Sequence, residues 1–162
     1  MPRVFVSIGS NIEKEKNICS GVIQLRNYYS PLTLSTVYES EAIGFNGASF
    51  YNLVVAFDTE DPLTSILASL LEIEYTHGRQ RGMARFSPRT LDLDLLLYGD
   101  LIKHSAGMRV PRPEVAEYAF VLRPLAEIAP RLRHPETGMT FEEMWKRFNQ
   151  TSQPLSPVKL DI

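Results

Sequence analysis

The chain has 162 residues, of which 44% are hydrophobic and 22% charged, and its formal net charge is −2. These values are typical of one compact globular domain and argue against intrinsic disorder. The negative charge also argues against a general nucleic-acid or membrane-surface binder, because such proteins are usually basic.

Cysteine content and hydropathy bear on the compartment. The single cysteine, Cys19, cannot form an internal disulfide, and no Cys/His cluster suggests zinc. No segment approaches the roughly 18 consecutive apolar residues of a membrane-spanning helix, and residues 1–9 lack the pattern of a secretory signal. We therefore expect a cytoplasmic protein without a membrane partner.

Hydrophobic periodicity and turn residues predict the elements in chain order. Strands are predicted at residues 3–8, 32–38, 51–59 and 90–98. Helices are predicted at residues 14–29, 61–78, 124–128 and 141–148, the second of them capped by Asp61 with Pro62 in its first turn. The tail from about residue 149 to 162 contains two prolines and is predicted to be irregular.

The order β-α-β-β-α-β predicts an α+β fold, a ferredoxin-like α/β sandwich in which helices cover one face of an antiparallel sheet. The segment after the fourth strand would be a C-terminal addition to this core. We expect residues 1–162 to form a single domain. Because this fold occurs with many activities, it does not by itself predict a function.

The strand predicted at residues 90–98 carries two carboxylates, Asp92 and Asp94, on one face, about 7 Å apart. The leucines fill the other face, at positions Leu91, Leu93, Leu95 and Leu97. The pair is either the solvated face of an amphipathic strand or a metal site. Aspartate disfavours strands, so its presence here favours a functional constraint. Carboxylates together with substrate phosphates suit Mg²⁺.

A group of four arginines precedes the carboxylate pair: Arg79, Arg81, Arg85 and Arg89. Guanidinium groups bind phosphate with two parallel hydrogen bonds, so this segment predicts a polyphosphate site. The sequence contains no GxxxxGK[ST] loop, and phosphate binding would therefore depend on side chains. Residues 82–88 are predicted to be a loop that closes over the nucleotide.

Six segments of the chain stand out together. They are residues 7–11 (SIGSN), 38–44 (YESEAIG), 50–52 (FYN), 73–81 (IEYTHGRQR), 85–96 (RFSPRTLDLDLL) and 120–130 (FVLRPLAEIAP). In this order they resemble the characteristic segments of the hydroxymethylpterin pyrophosphokinase family of the folate pathway, and residues 85–96 resemble the family signature. The resemblance implies transfer of the β,γ-pyrophosphoryl group of ATP to the hydroxymethyl oxygen of a dihydropterin, with release of AMP.

The resemblance also implies roles for residues at matching positions. Asp92 and Asp94 would hold two Mg²⁺ ions, and Arg81 and Arg85 would complete the catalytic set. The ATP-binding residues would be Glu74, Arg79, Arg81, Arg89, Leu95 and Arg112. The pterin-binding residues would be Ser40, Ile43, Phe50, Asn52, Phe86, Asp92 and Phe120, with the rings of Phe86 and Phe120 on either side of the pterin.

The chain departs from the family pattern at three informative positions. Arg112 stands where the family usually has histidine, Tyr118 where arginine is common, and Glu41 lies in the pterin loop. Alternatives therefore stay open: the same chemistry on another pterin alcohol, or a non-catalytic nucleotide-binding module. An RNA-recognition domain of similar topology is disfavoured, because the strands lack clustered stacking aromatics. We expect small-molecule substrates, no nucleic acid and a monomer.

Overall fold

The computed structural model describes residues 1–78 and 90–162, and this part of the chain forms eight strands and five helices. The strands are β1 (Arg3–Ser10), β2 (Thr33–Leu34), β3 (Val37–Ser40), β4 (Phe50–Asp58), β5 (Asp92–Tyr98), β6 (Lys103–Ser105), β7 (Met108–Val110) and β8 (Ser156–Val158). The helices are α1 (Lys14–Tyr28), α2 (Leu63–Thr76), α3 (Glu114–Glu117), α4 (Ala119–Ile128) and α5 (Phe141–Arg147). Each predicted element has a counterpart among them.

The main sheet has six antiparallel strands in the order β5-β1-β4-β3-β8, and β2 also pairs with β4. The strands β1, β3, β4 and β5, with α1 and α2 as connections, have the order of a ferredoxin-like sandwich. The fold prediction is therefore confirmed. Strands β6 and β7 form a separate hairpin beside β5. In the described part of the chain, every helix is too short or too polar to cross a bilayer.

The sheet carries a hydrophobic core on each face. On one face, alternate residues of β1 (Val4, Val6 and Ile8) are buried against α1 and α2. On the other face, Phe5 is buried with residues of the C-terminal helices, among them Leu122. Burial of apolar surface, worth roughly 25 cal/mol per Å², holds both layers on the sheet. The C-terminal addition thus covers the face that α1 and α2 leave open.

A β-bulge in β5 moves Leu97 to the face opposite the predicted one. Phe5 pairs with Leu97 and Val6 with Leu95, so Leu96 is the extra residue. The leucines before the bulge face α1 and α2 as predicted, whereas Leu96 and Leu97 join the core under α4. The prediction for Leu97 is wrong because one inserted residue reverses the alternation of side chains after it.

The strand predicted at residues 32–38 is divided into β2 and β3. Between them, the hydroxyl oxygen of Ser35 accepts a hydrogen bond from the Val54 backbone N–H at 2.9 Å. A side chain thus takes a place that a backbone carbonyl would otherwise hold in the ladder, and this interrupts the strand.

Apart from shifts of one or two residues at other element ends, three features differ from the sequence prediction. The N-cap of α2 is Pro62, with no side-chain cap, so the prediction of Asp61 as the cap is wrong. Helix α4 begins at Ala119, upstream of the predicted start, and contains Pro124. The predicted irregular tail is wrong for β8, which pairs with the outer edge of β3. A strand this short has no hydrophobic period of its own, and the partner edge decides its conformation.

Candidate active site

The sheet brings the predicted carboxylates and pterin-binding residues into one row. Asn52 of β4 lies opposite Gly9 of β1, and Gly9 lies opposite Asp92 of β5. Directly paired residues of an antiparallel sheet point to the same face. Asp94 follows two residues after Asp92 and therefore points the same way. The polar side chains Asn52, Asp92 and Asp94 thus share the face that α3, α4 and α5 cover elsewhere.

Asn52 is the buried polar group at the centre of this row. Its side chain is 5% exposed, and its Nδ2 donates to the Ser40 hydroxyl at 2.8 Å. Gly9 leaves room for it, because a Cβ at this position would lie 3.2 Å from Asn52 Oδ1. Phe50 pairs with Ser40 in the ladder and so lies on the same face. Four predicted pterin residues therefore share this face: Ser40, Phe50, Asn52 and Asp92.

Asp94 lies between a second carboxylate and a guanidinium group. Arg112 Nη2 is 3.4 Å from Asp94 Oδ1, and Arg112 Nε pairs with the Glu114 carboxylate. Burial, followed by the negative charge of Asp92, raises the pKa of Asp94 to about 7, while Arg112 acts in the opposite direction. Two neighbouring carboxylates that disfavour each other's ionisation are suited to a divalent cation.

The donor set at β5 fits Mg²⁺, which prefers hard oxygen ligands and keeps positions for substrate phosphates. Asp92 and Asp94 are both partly exposed and share one face of the strand. Within residues 1–78 and 90–162, no group of three or more His, Cys, Asp or Glu side chains is arranged to hold a metal ion. The pair alone would therefore leave coordination positions for water and phosphate.

The raised pKa of Asp94 predicts how pH affects the stability of the metal-free protein. The folded state holds this proton up to a pKa of about 7, against an ordinary value of 3.8, so the folded state binds more protons in that window. Stability contributed by Asp94 should therefore fall as pH rises from about 4 to 7. We expect urea denaturation in the presence of a chelator to show this loss in the wild type and not in Asp94→Asn. If the free energy of unfolding depended on pH in the same way in both proteins, the raised pKa of Asp94 would be wrong.

A groove of about 720 Å³ runs along the outer edge of β5, between α2 and the β6–β7 hairpin. Three residues predicted to bind ATP line it, namely Glu74, Leu95 and Arg112, and Asp94 lies in the same lining. Leucines of α2 provide an apolar wall, while Asp94 and Arg112 provide a charged end. Apolar walls beside a few polar groups are typical of sites for small molecules.

Glu74 has a structural contact at this groove. Its side chain is 3% exposed, and its Oε2 accepts a hydrogen bond from the Leu93 backbone N–H at 2.9 Å. Since β5 is the edge strand of the sheet, this bond satisfies a donor that has no strand partner. Glu74 therefore holds the strand segment between the two aspartates, and its role toward ATP stays a prediction.

Helix α4 is anchored to β3 by its C-terminal half. Glu127 accepts hydrogen bonds from the Thr36 backbone N–H at 3.0 Å and from the Tyr38 hydroxyl at 2.8 Å. One turn earlier in the helix, the guanidinium carbon of Arg123 lies 4.7 Å from the centroid of the Tyr38 ring. Glu127 and Arg123, one turn apart, thus both contact Tyr38 and hold this half of α4 on the strand.

Phe120 lies one further turn toward the start of α4. It is half-buried and stacks on Tyr118, with 5.2 Å between ring centroids and 16° between ring planes. Tyr118 therefore packs against an aromatic ring at the position where the family commonly has arginine. Phe120 packs on the face of the sheet to which Asn52 also points, and its role toward the pterin stays a prediction.

Several predicted residues lie outside the described part of the chain: Arg79, Arg81, Arg85, Phe86 and Arg89, together with the predicted loop at residues 82–88. Ile43 lies half-buried in the connection between β3 and β4. Sequence analysis missed Glu114 as the partner of Arg112. It also missed the reason for glycine at Gly9, although a glycine near the end of a strand signals close approach of another group.

The chain was compared with known proteins. A model of the 7,8-dihydro-6-hydroxymethylpterin-pyrophosphokinase family matches residues 5–130. Two relatives are named 2-amino-4-hydroxy-6-hydroxymethyldihydropteridine pyrophosphokinase. That of Pseudomonas aeruginosa is 36% identical over 138 residues, which cover 83% of this chain and 85% of the relative. That of Bacillus subtilis is 30% identical over 151 residues, covering 88% and 90%.

Solved structures support the fold alone. The crystal structure of wild-type Plasmodium falciparum HPPK-DHPS with pteroate matches with a TM-score of 0.68 at 14% sequence identity. The match covers 90% of this chain and 44% of that chain, so this chain spans less than half the length of its structural neighbour. At this identity the match carries information about architecture and none about individual site residues.

Proposed function

Because the chain belongs to the 7,8-dihydro-6-hydroxymethylpterin-pyrophosphokinase family, we propose that it transfers the pyrophosphoryl group of ATP to 6-hydroxymethyl-7,8-dihydropterin. The hydroxymethyl oxygen releases its proton to water and forms a bond to the β-phosphorus of ATP, while the bond between this phosphorus and the α,β-bridging oxygen breaks and its electron pair stays on that oxygen. AMP leaves, and the pterin carries the diphosphate. This reaction is a step of folate biosynthesis.

The row of side chains across the sheet carries the proposal. Asn52 and Ser40 form a buried polar pair on β4 and β3, and Asp92 and Asp94 lie on the same face two strands away. A pterin bound at Asn52 would have its hydroxymethyl group directed toward the carboxylates. The groove along β5 then provides a separate place for the nucleotide.

The proposed roles follow from the charge of each group. Asp92 and Asp94 would hold two Mg²⁺ ions, which would neutralise charge on the ATP phosphates and make the β-phosphorus easier to attack. Arg112 would contribute a permanent positive charge beside Asp94. Asn52 would orient the pterin through its amide, Phe86 and Phe120 would lie on either side of its ring, and Phe50 would also contact it. Arg81 and Arg85 would take part in catalysis, as the sequence predicts. Arg79 and Arg89 would bind ATP.

We also propose that the enzyme is a cytoplasmic monomer of one domain whose partners are its small-molecule substrates. The net charge of −2 supports the proposal that nucleic acid is not among them. Both hydrophobic cores lie against the same sheet, which supports a single domain.

The direct test is to incubate the protein with ATP, Mg²⁺ and 6-hydroxymethyl-7,8-dihydropterin and to measure AMP and pterin diphosphate. A second reaction with a different pterin alcohol, at the same concentration, tests the choice of substrate. Formation of both products only with the first pterin is the expected result. If the protein bound the nucleotide but formed no AMP, it would instead be a non-catalytic module.

Replacement of Arg112 tests the nucleotide end of the site. Removing the guanidinium group takes one charge-assisted hydrogen bond from the phosphates and leaves the carboxylates of Asp94 and Glu114 without this partner. We expect Arg112→Ala to raise the KM for ATP or lower kcat by about tenfold or more, the loss of roughly 1.5–3 kcal/mol. Arg26→Ala, in the exposed last turn of α1, is the matched control. Unchanged steady-state kinetics in Arg112→Ala would place this residue outside the site.

A further inference from the structure

The segment that follows α5 makes contacts that the proposed function does not use. Within it, Gln153 is half-buried, and its side-chain amide bonds to two backbone groups. Its Oε1 accepts the Ala119 N–H at 2.9 Å, and its Nε2 donates to the Glu117 carbonyl at 3.0 Å. The family match ends at residue 130, so Gln153 lies outside the segments on which the family assignment rests.

Both backbone groups are at helix ends, where partners within the helix are missing. Ala119 is the first residue of α4, and Glu117 is the last residue of α3. The N-cap residue of α4, Tyr118, makes no side-chain cap. Gln153 therefore caps α4 and closes α3 with one amide, and it holds the backbone on both sides of Tyr118.

The position of Tyr118 matters because its ring stacks on Phe120 at 5.2 Å. A shift of the α3–α4 junction would move both rings together, since Phe120 lies in the first turn of α4. In the proposed function Phe120 contacts the pterin ring. The amide of Gln153 thus bonds the backbone next to an aromatic wall of the pterin half of the proposed site (Ser40, Asn52 and Phe120). Gln153 is not among the residues that line the groove along β5.

The same segment also reaches the strand that carries Ser40. Beyond Gln153, β8 pairs with Val37, Tyr38 and Glu39 of β3. Leu160 and Ile162 then pack against the core between the sheet and α1. The segment is therefore held at both ends of the pterin half: at the start of α4 by Gln153 and along β3 by β8.

From these contacts we propose that Gln153 is a positioning residue for the pterin half of the site. It fixes the Tyr118–Phe120 pair by bonding the backbone on either side of Tyr118, and so it determines pterin affinity and not nucleotide affinity. This inference rests on the proposed function, because that function assigns the pterin to Phe120.

The test compares Gln153→Met with Gln150→Met. Methionine preserves the length and the apolar part of the side chain and removes both hydrogen bonds. Gln150 lies in the same segment and is exposed. Among the described residues, its side chain makes one hydrogen bond, which it donates to the Trp145 carbonyl. We expect Gln153→Met to raise the KM for the pterin about tenfold, because two hydrogen bonds beside Phe120 are lost. The KM for ATP should stay within about twofold of the wild-type value. Gln150→Met should match the wild type.

Gln153→Glu is a second variant in case Gln153→Met fails to fold. It keeps an acceptor for the Ala119 N–H but cannot donate to the Glu117 carbonyl, and we expect a selective rise in the pterin KM of about threefold. Thermal melting is measured for all variants. Equal rises in both KM values, or a pterin KM within twofold of wild type, would overturn the inference. An inactive wild type would refute the proposed function itself, which separates the two failures.

Discussion

Asp92→Asn and Asp94→Asn should each abolish turnover while the protein stays folded. Asparagine has nearly the same shape as aspartate but lacks the negative charge that holds a divalent cation. Removing one metal carboxylate should cost several kcal/mol of transition-state stabilisation, so we expect kcat to fall on the order of a thousandfold. The measurement is AMP release over a series of Mg²⁺ concentrations, including limiting Mg²⁺.

Activity and stability should change in opposite directions in Asp94→Asn. At pH 8 the wild-type carboxylate is ionised next to Asp92, and its raised pKa shows that the folded protein disfavours this charge. The neutral variant should therefore melt at a higher temperature than the wild type when Mg²⁺ is absent. Asp100→Asn, in the exposed turn after β5, is the matched control. If Asp92→Asn and Asp94→Asn kept near-normal activity at limiting Mg²⁺, the metal assignment would be wrong.

Asn52→Ala should impair recognition of the pterin and leave ATP almost unaffected. A buried amide can donate to and accept from a heterocycle edge, and its loss leaves the polar groups of the ligand unpaired. We expect the KM for the pterin to rise by about thirtyfold or more, with the KM for ATP within about twofold. Asn27→Ala, on the exposed side of α1, is the matched control.

Gly9→Ala tests the position of the Asn52 amide without changing Asn52 itself. The added Cβ would lie 3.2 Å from Asn52 Oδ1, so the amide must move by a few tenths of an ångström. We expect a smaller effect of the same kind, a rise of about threefold in the pterin KM with unchanged ATP kinetics. A parallel rise in the KM for ATP and for the pterin in Asn52→Ala would show that Asn52 supports the fold of the site and does not recognise the pterin.

The shared face of Asp92 and Asp94 is the part of the candidate site that the sequence predicts best. Alternation along a single strand places Asp92 and Asp94 on one face, and this requires no knowledge of any other segment. The ferredoxin-like core is predicted for a similar reason, because each of its helices and long strands has its own hydrophobic period. The family resemblance adds candidate residues across the chain, including Asn52 and Arg112.

Contacts between distant segments could not be predicted from the sequence. The bulge at Leu96 depends on how β5 pairs with β1, and it reverses the face of Leu97. The pairing of Arg112 with Asp94 and Glu114 depends on where the chain returns after the β6–β7 hairpin. The bonding of Gln153 to both sides of Tyr118 joins residues more than thirty positions apart.

What the sequence by itself determined is local: the periods of the helices and strands, the shared face of the two aspartates, and the family motifs. Only the tertiary structure decided the register that places Asn52 opposite Gly9 and Asp92, the edge pairing of β8, and the capping of α4 by Gln153. The physical reason is that hydrophobic period and turn chemistry act within a few residues, whereas register, strand edges and helix caps are satisfied by whichever distant group packing brings near.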